Sequence, residues 1–238
     1  MRRKIRIAGF AMVWTGVLTL GIVAYQLVVT DFLNDRVQEE ARTELVTGLD
    51  ERRDTLETPV TVTVPSQTTD TTQAPVVETI DFHPEDAVEE GDPFGVIRIP
   101  SIELDWVLFG GVLPATLNQG PGHMPWTPLP GQPGNSVISG HRTTYGAPFF
   151  DLDLLEPGDT IEIETAIGVH TYTVRDTIVV TAYDVWVTNP KPGAWLTLTT
   201  CHPKFSAAQR LIVQAELTDG PNLDYAQFLF DTQFSAVS

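Results

Sequence analysis

The sequence predicts a mainly β protein. Many short strands form one head, closed as a barrel or stacked as a sandwich, with short helices, an N-terminal transmembrane helix and a stalk. Three observations predict it. From Phe94 onward, short apolar stretches alternate with Gly and Pro turns. Ile7–Thr30 is a run of 24 residues without a charged side chain. Between them, Thr58–Thr79 (TPVTVTVPSQTTDTTQAPVVET) is rich in Thr, Val and Pro and has no core-forming period.

Residues 1–30 read as a cytoplasmic basic end and a membrane anchor. About 20 residues at ~1.5 Å each cross a bilayer, so this run suffices with some tilt. Arg2, Arg3, Lys4 and Arg6 precede it, and Asp31 and Asp35 follow it. The positive-inside rule then places the N-terminus in the cytoplasm and the remainder outside the cell membrane. A cleaved signal peptide is the alternative. The small-x-small cleavage site it needs is missing around Ala24–Thr30, and the apolar run is long for one.

Residues 31–57 read as a helical stalk. Leu33, Val37, Ala41, Leu45 and Leu49 recur every four residues and mark one helix face, set among charged side chains. The pattern suits a stalk that pairs with a partner or, the reading preferred here, a solvated helix. Residues 58–92 read as an extended Thr/Pro/acidic linker. Within the head, residues 93–219, FGVIRIPSIELDWVLF holds two strands broken near Pro100. NSVISGH (135–141) is a short buried strand, and TIEIET (160–165) alternates with one wet face. AIGV (166–169) turns into HTYTVRDTIVV, and AWLTLTTC (194–201) and QRLIVQAEL (209–217) follow. Ala147–Leu155 and the stretch near Leu117 are the helical candidates. The tail, residues 220–238, offers Tyr225, Phe228, Phe230 and Phe234 for packing on the head.

The composition excludes several functions. The 238-residue chain has 14 Lys+Arg against 31 Asp+Glu, a formal charge of −17. That argues against nucleic acid as a partner, since phosphate contacts need clustered basic groups. A single Cys excludes an internal disulfide framework and a Cys-rich zinc site. It leaves Cys201 as either an inert buried thiol or a reactive one. Cys201 ends a strand just before the breaker Pro203, a place where sites are often built.

A nucleophilic thiol needs a proton partner, because at its ordinary pKa of about 8.5 only a small fraction is ionised at neutral pH. Five His are available. His83 falls in the linker and reads as solvated. His170 lies in an alternating strand and reads as a surface residue. His202 leaves the strand on the face opposite Cys201. His123, in GPGHMP, is a second candidate with a turn-structural alternative. His141 ends NSVISGH and opens a Gly-containing loop, a position that favours function. Arg210, nine residues after Cys201, starts the next strand and can return beside the thiol to bind a developing oxyanion. Its alternative role is a surface ion pair.

Taken together, TLTTC (197–201), Arg210 and SGHR (139–142) resemble a sortase, the Gram-positive surface-protein transpeptidase. The resemblance runs from Phe94 to Leu217 and includes GPGHMPWTPLPGQPGNSVISGHRTTYGAPFFDLDLLEPGD. TTYGAPF, TTCHP and QRLIV are most similar to the class E sortases of actinobacteria. The resemblance implies a sortase-like closed β-barrel and the following chemistry. Cys201 attacks the Thr–Gly carbonyl of a sorting signal. His141 protonates the departing amine and deprotonates the incoming one. Arg210 holds substrate backbone or oxyanion, and Thr200 orients substrate. Tyr145 is linked to preference for LAxTG-type over LPxTG-type signals.

The implied partners are sorting-signal-bearing surface proteins, a peptidoglycan precursor amine and the plasma membrane. No cofactor and no metal is implied, and no clear calcium ligand set stands out. A hydrolase of the same site using water, a pilin-polymerising sortase and a non-catalytic anchored β-domain are the alternatives. A papain-like protease is disfavoured, because its Cys precedes its His in the chain.

Overall fold

The computed structural model describes residues 2–56, 59–65 and 77–235. Helix α1 runs from Arg2 to Thr55. Strands β1 (Val60–Pro65) and β2 (Val77–Phe82) form a two-stranded antiparallel sheet. Then come β3 (Pro93–Ile99), β4 (Leu104–Gly110), α2 (Pro114–Leu117), β5 (Gly122–His123) and β6 (Gly134–Ser139). They are followed by β7 (Thr160–Thr165), β8 (Gly168–Thr181), β9 (Ala194–His202), β10 (Gln209–Asp219) and α3 (Leu223–Ser235).

Strands β3 to β10 close into a barrel in the order β10-β8-β7-β3-β4-β5-β6-β9. Neighbours are antiparallel except for β4 with β5 and β6 with β9. The alternation of each strand fills the interior with Phe94, Ile97, Leu108, Ile138, Ile161, Ile163, Tyr172, Leu196, Leu198 and Val213. The break expected near Pro100 is a single 3-10 turn, Pro100–Ile102. The expected AIGV turn joins β7 to β8 in one hairpin. The helical stretch expected at Ala147–Leu155 is limited to one 3-10 turn, Leu152–Leu154.

The stalk face is not solvated. Ala41, Leu45 and Leu49 are buried against Val96, Val107, Phe109 and Ala166 in a second, smaller core. The cause lies in β3 and β4. Ile97 and Leu108 point inward, so Val96, Val107 and Phe109 point outward and would otherwise form an exposed apolar patch. Burying a Leu of this kind contributes about 1.5–3 kcal/mol, so α1 is held by its own apolar stripe. Gln38 reinforces the contact by accepting the Val107 N–H at 2.8 Å and donating to the Gln119 carbonyl at 2.8 Å.

The two ends of the expected linker pair as β1 and β2, while residues 57–58 and 66–76 lie outside the described residues. The segment after β2 docks on the head: Gln132 and Asn222 both donate to the His83 carbonyl at 3.0 Å. The tail forms α3, which buries Ala226 on the barrel and sets the Tyr225 ring 4.5 Å from that of Phe82. The side chain of Phe234 lies outside the described part, as do those of residues 23–33, which include the last eight residues of the expected anchor. Among the described residues no helix is long and apolar enough to cross a membrane. Phe10, Val13, Trp14 and Leu18 of α1 are exposed.

Candidate active site

Three strand ends build the site. Strands β6 and β9 run parallel, with Gly134 opposite Ala194 and Ser139 opposite Thr199. The Gly140 N–H continues this ladder by donating to the Thr199 carbonyl at 3.1 Å. His141 and Cys201 each follow this ladder's last pair, Ser139 and Thr199, by two residues, at the same end of the two strands. On the other side of β9, antiparallel β10 places Arg210 directly opposite Cys201. Direct partners share a face of the sheet. Arg210 and Cys201 thus lie side by side on neighbouring strands about 4.8 Å apart, and His141 follows the end of the strand on the other side of β9.

The register depends on Gly140. A Cβ there would come within 2.6 Å of the Phe149 ring, so only a glycine lets the His141 loop cross this side chain. Thr200 is buried, and its hydroxyl donates to the Gly140 carbonyl at 2.8 Å. It thus tethers the backbone beside His141, through an atom turned toward the fold.

Each predicted side chain has a definite setting. Cys201 is a free, half-buried thiol. His141 is also half-buried, and burial pushes its pKa below the ordinary histidine value, which favours the neutral imidazole. Its Nε2 is buried without a hydrogen-bond partner. Tyr145 stacks at a tilt, its ring centre 5.0 Å from that of His141. Arg210 is half-buried, and its Nη1 donates to the carbonyls of Ala207 at 3.1 Å and Gln209 at 2.9 Å. The β9–β10 loop thereby holds the guanidinium at the edge of the site.

Sequence reasoning missed Arg142. It is 2% exposed, the largest fully buried side chain of the barrel. Its Nε donates to the Phe150 carbonyl at 2.9 Å, and its Nη1 to the carbonyl of Cys201 at 3.3 Å. Its Nη2 pairs with Asp153 at 2.8 Å. Burial works against the Asp153 carboxylate, but Arg142, helped by Lys204, holds its pKa below the ordinary range. Lys204, three residues after Cys201, also pairs with Asp151 at 3.0 Å. The loop after His141 is thus pinned to the strand that carries the thiol. The sequence signal was its place in SGHR (139–142), directly after His141.

The remaining histidines stand apart from these three positions. His123 is buried, with Nε2 2.9 Å from the Pro128 carbonyl, and burial lowers its pKa. His170, expected at the surface, is fully buried. It shares the inward face of β8 with Tyr172 and Val174, and Thr165 Oγ1 lies 3.3 Å from its Nε2. His202 is half-buried one residue past the thiol.

A thiol flanked by an imidazole and a guanidinium can open a peptide bond through a thioester and pass the acyl group to an amine. A family model for the Sortase domain matches residues 97–218. Sortase SrtE1 of Streptomyces coelicolor is 32% identical over 147 residues, 55% of this chain and 42% of that protein. Sortase D of Bacillus subtilis is 32% identical over 116 residues, 48% of this chain and 57% of that protein. The solved sortase E of Streptomyces avermitilis superimposes with a TM-score of 0.52 and 34% identity, covering 56% of this chain and 93% of that one. The chain spans less than two thirds of the length of the curated relatives it matches.

Proposed function

This chain belongs to the sortase family of cysteine transpeptidases, and from that premise we propose that Cys201, His141 and Arg210 are its catalytic groups and an LAxTG-type sorting signal is its donor substrate. The similarity to the SrtE proteins and to sortase E bears out the class E resemblance. The observation that supports the assignment is that β10 pairs Arg210 with Cys201, while β6, which leads to His141, runs beside β9 as far as Ser139 and Thr199.

In this reading Cys201 Sγ attacks the carbonyl between Thr and Gly. The C–N bond breaks, and the departing Gly amine takes a proton from His141. The thioester then accepts a peptidoglycan precursor amine, whose proton passes to His141, and Sγ leaves. Arg210 faces the developing oxyanion. The lowered pKa of His141 favours the neutral imidazole at rest, the form that accepts a proton. Tyr145, stacked on His141, lines the approach of the residue at the LAxTG alanine position.

The protein is held at the cell membrane by residues 1–30, with the barrel outside. The support is the uncharged run Ile7–Thr30 and the exposed apolar side chains along α1.

Mass spectrometry of the protein mixed with an LAxTG peptide and an amine tests the reading. It expects an acyl adduct on Cys201, a new amide product, and neither in Cys201→Ala. His141→Ala and Arg210→Ala should each lose roughly 10²-fold or more in kcat/KM. Turnover by Cys201→Ala would refute the mechanism. Cleavage that never incorporates the amine would identify a hydrolase.

A further inference from the structure

Helix α1 lies along the barrel with a defined polarity. At its early end, Asn34 Nδ2 donates to the Asn118 carbonyl at 2.9 Å, and a Cβ on Gly146 would fall 2.7 Å from Asn34 Oδ1. Gly146 belongs to the loop that follows His141, so α1 meets the catalytic loop at Asn34. Next along the helix, Arg42 pairs with Asp105 at 2.6 Å. Further along, Arg53 Nε donates to the Ala166 carbonyl at 3.3 Å, and its Nη2 lies 3.6 Å from Glu164.

The strand directions agree with these contacts. Leu104, Thr160, Ser139, His202, Gln209 and Thr181 all lie at one end of the barrel. Cys201, Arg210 and His141 belong to that end, whereas Ala166 and Gly168 turn at the other. The catalytic end therefore points back along α1 toward Arg2. Asn34 is only four residues past Thr30, about 6 Å of helix.

The same end presents two aromatic side chains to solvent. Tyr183, just past the end of β8, is 91% exposed, and Phe205, in the β9–β10 loop, is 80% exposed. Thr181 and His202, which precede them, both pair with Gln209, so the two loops are neighbours. Exposed aromatic rings suit the headgroup layer of a bilayer, where the ring is partly desolvated.

We infer that the catalytic end of the barrel rests on the outer membrane surface, with Phe205 and Tyr183 seated among phospholipid headgroups. The inference rests on the anchor proposed for residues 1–30. It places the thiol at the face of the barrel nearest the bilayer that holds the chain.

The test uses the full chain in phosphatidylcholine vesicles, in a Cys201→Ser background that leaves one introduced thiol for an environment-sensitive fluorophore. Four variants are labelled: Phe205→Cys, Tyr183→Cys, Val169→Cys and Val13→Cys. Val169 is an exposed residue at the opposite end of the barrel, and Val13 lies in the apolar run. Labels at 205 and 183 should lose most of their emission to headgroup spin-labelled lipid. The label at 169 should keep its emission, and the label at 13 should be quenched by an acyl-chain spin label. Labels at 205 and 183 as insensitive as that at 169, with 13 still quenched, would overturn the inference and leave the anchor standing. An unquenched label at 13 would overturn both.

Discussion

His170 should make the fold lose stability in mild acid. The side chain is fully buried, its Nε2 faces only the Thr165 hydroxyl, and its Nδ1 has no hydrogen-bond partner. Burial pushes its pKa down to about 4. In the unfolded chain the imidazole takes up a proton near 6.5. Between these values the unfolded state binds more protons, so stability is full above about pH 6.5 and drains away as the pH falls toward 4. Moving from pH 7 to pH 4.5 should cost about 2.5 kcal/mol through this group.

Urea unfolding at the two pH values, in the wild type and in His170→Gln, gives the measurement. Glu85, whose pKa burial raises, works in the opposite direction, because its contribution declines as the pH rises. It is common to both proteins and drops out of the comparison. The wild type should lose about 2.5 kcal/mol more than the variant between the two conditions. Equal losses would show that His170 is protonated in the folded state at pH 4.5 and would refute the burial argument.

Other outcomes follow from the site and from the helix contact. Replacing Tyr145 with Ala should change the ratio of LAxTG to LPxTG turnover, read by competing the two peptides in one reaction. Thr200→Val removes the hydroxyl bonded to Gly140 while keeping the volume. It should cost about 1 kcal/mol in denaturant unfolding and reduce kcat more than KM, because the His141 loop loses a tether. Leu45→Ala should destabilise by about 2–3 kcal/mol, measured by denaturation, since the second core has few other side chains to close over the gap.

The sequence carried the chemistry further than the packing. The places of Cys201, His141 and Arg210 at or near strand ends are legible from Pro and Gly punctuation, whereas the roles proposed for them come from the family resemblance. His170 was misread for a specific reason. Its strand shows His170, Tyr172 and Val174 at period two, and alternation alone does not say which of the two faces meets the core. The stalk was misread through its partner. The apolar runs of β3 and β4 are too continuous for strands with one wet face, so they require a cover, and the stripe at Ala41, Leu45 and Leu49 supplies it. Neither segment alone shows this, since the match is between two stretches about fifty residues apart.

Arg142 and Thr200 show how a site is held by groups that do no chemistry. The backbone of residues 140–142 is joined to that of 199–201 by three bonds: Gly140 N–H to Thr199, Thr200 hydroxyl to Gly140, and Arg142 to Cys201. All three run between backbone and its immediate supports, and none uses the imidazole or the thiol. That division has a physical consequence. If the imidazole set the spacing by its own hydrogen bond, it would have to break that bond to move a proton. Because the ladder sets the spacing, His141 Nε2 is left buried without a hydrogen-bond partner, which fits the proton-carrying role proposed for it. The buried guanidinium is costly to desolvate, and its Asp153 partner together with two backbone carbonyls offsets that cost while tying the His141 loop to the catalytic strand.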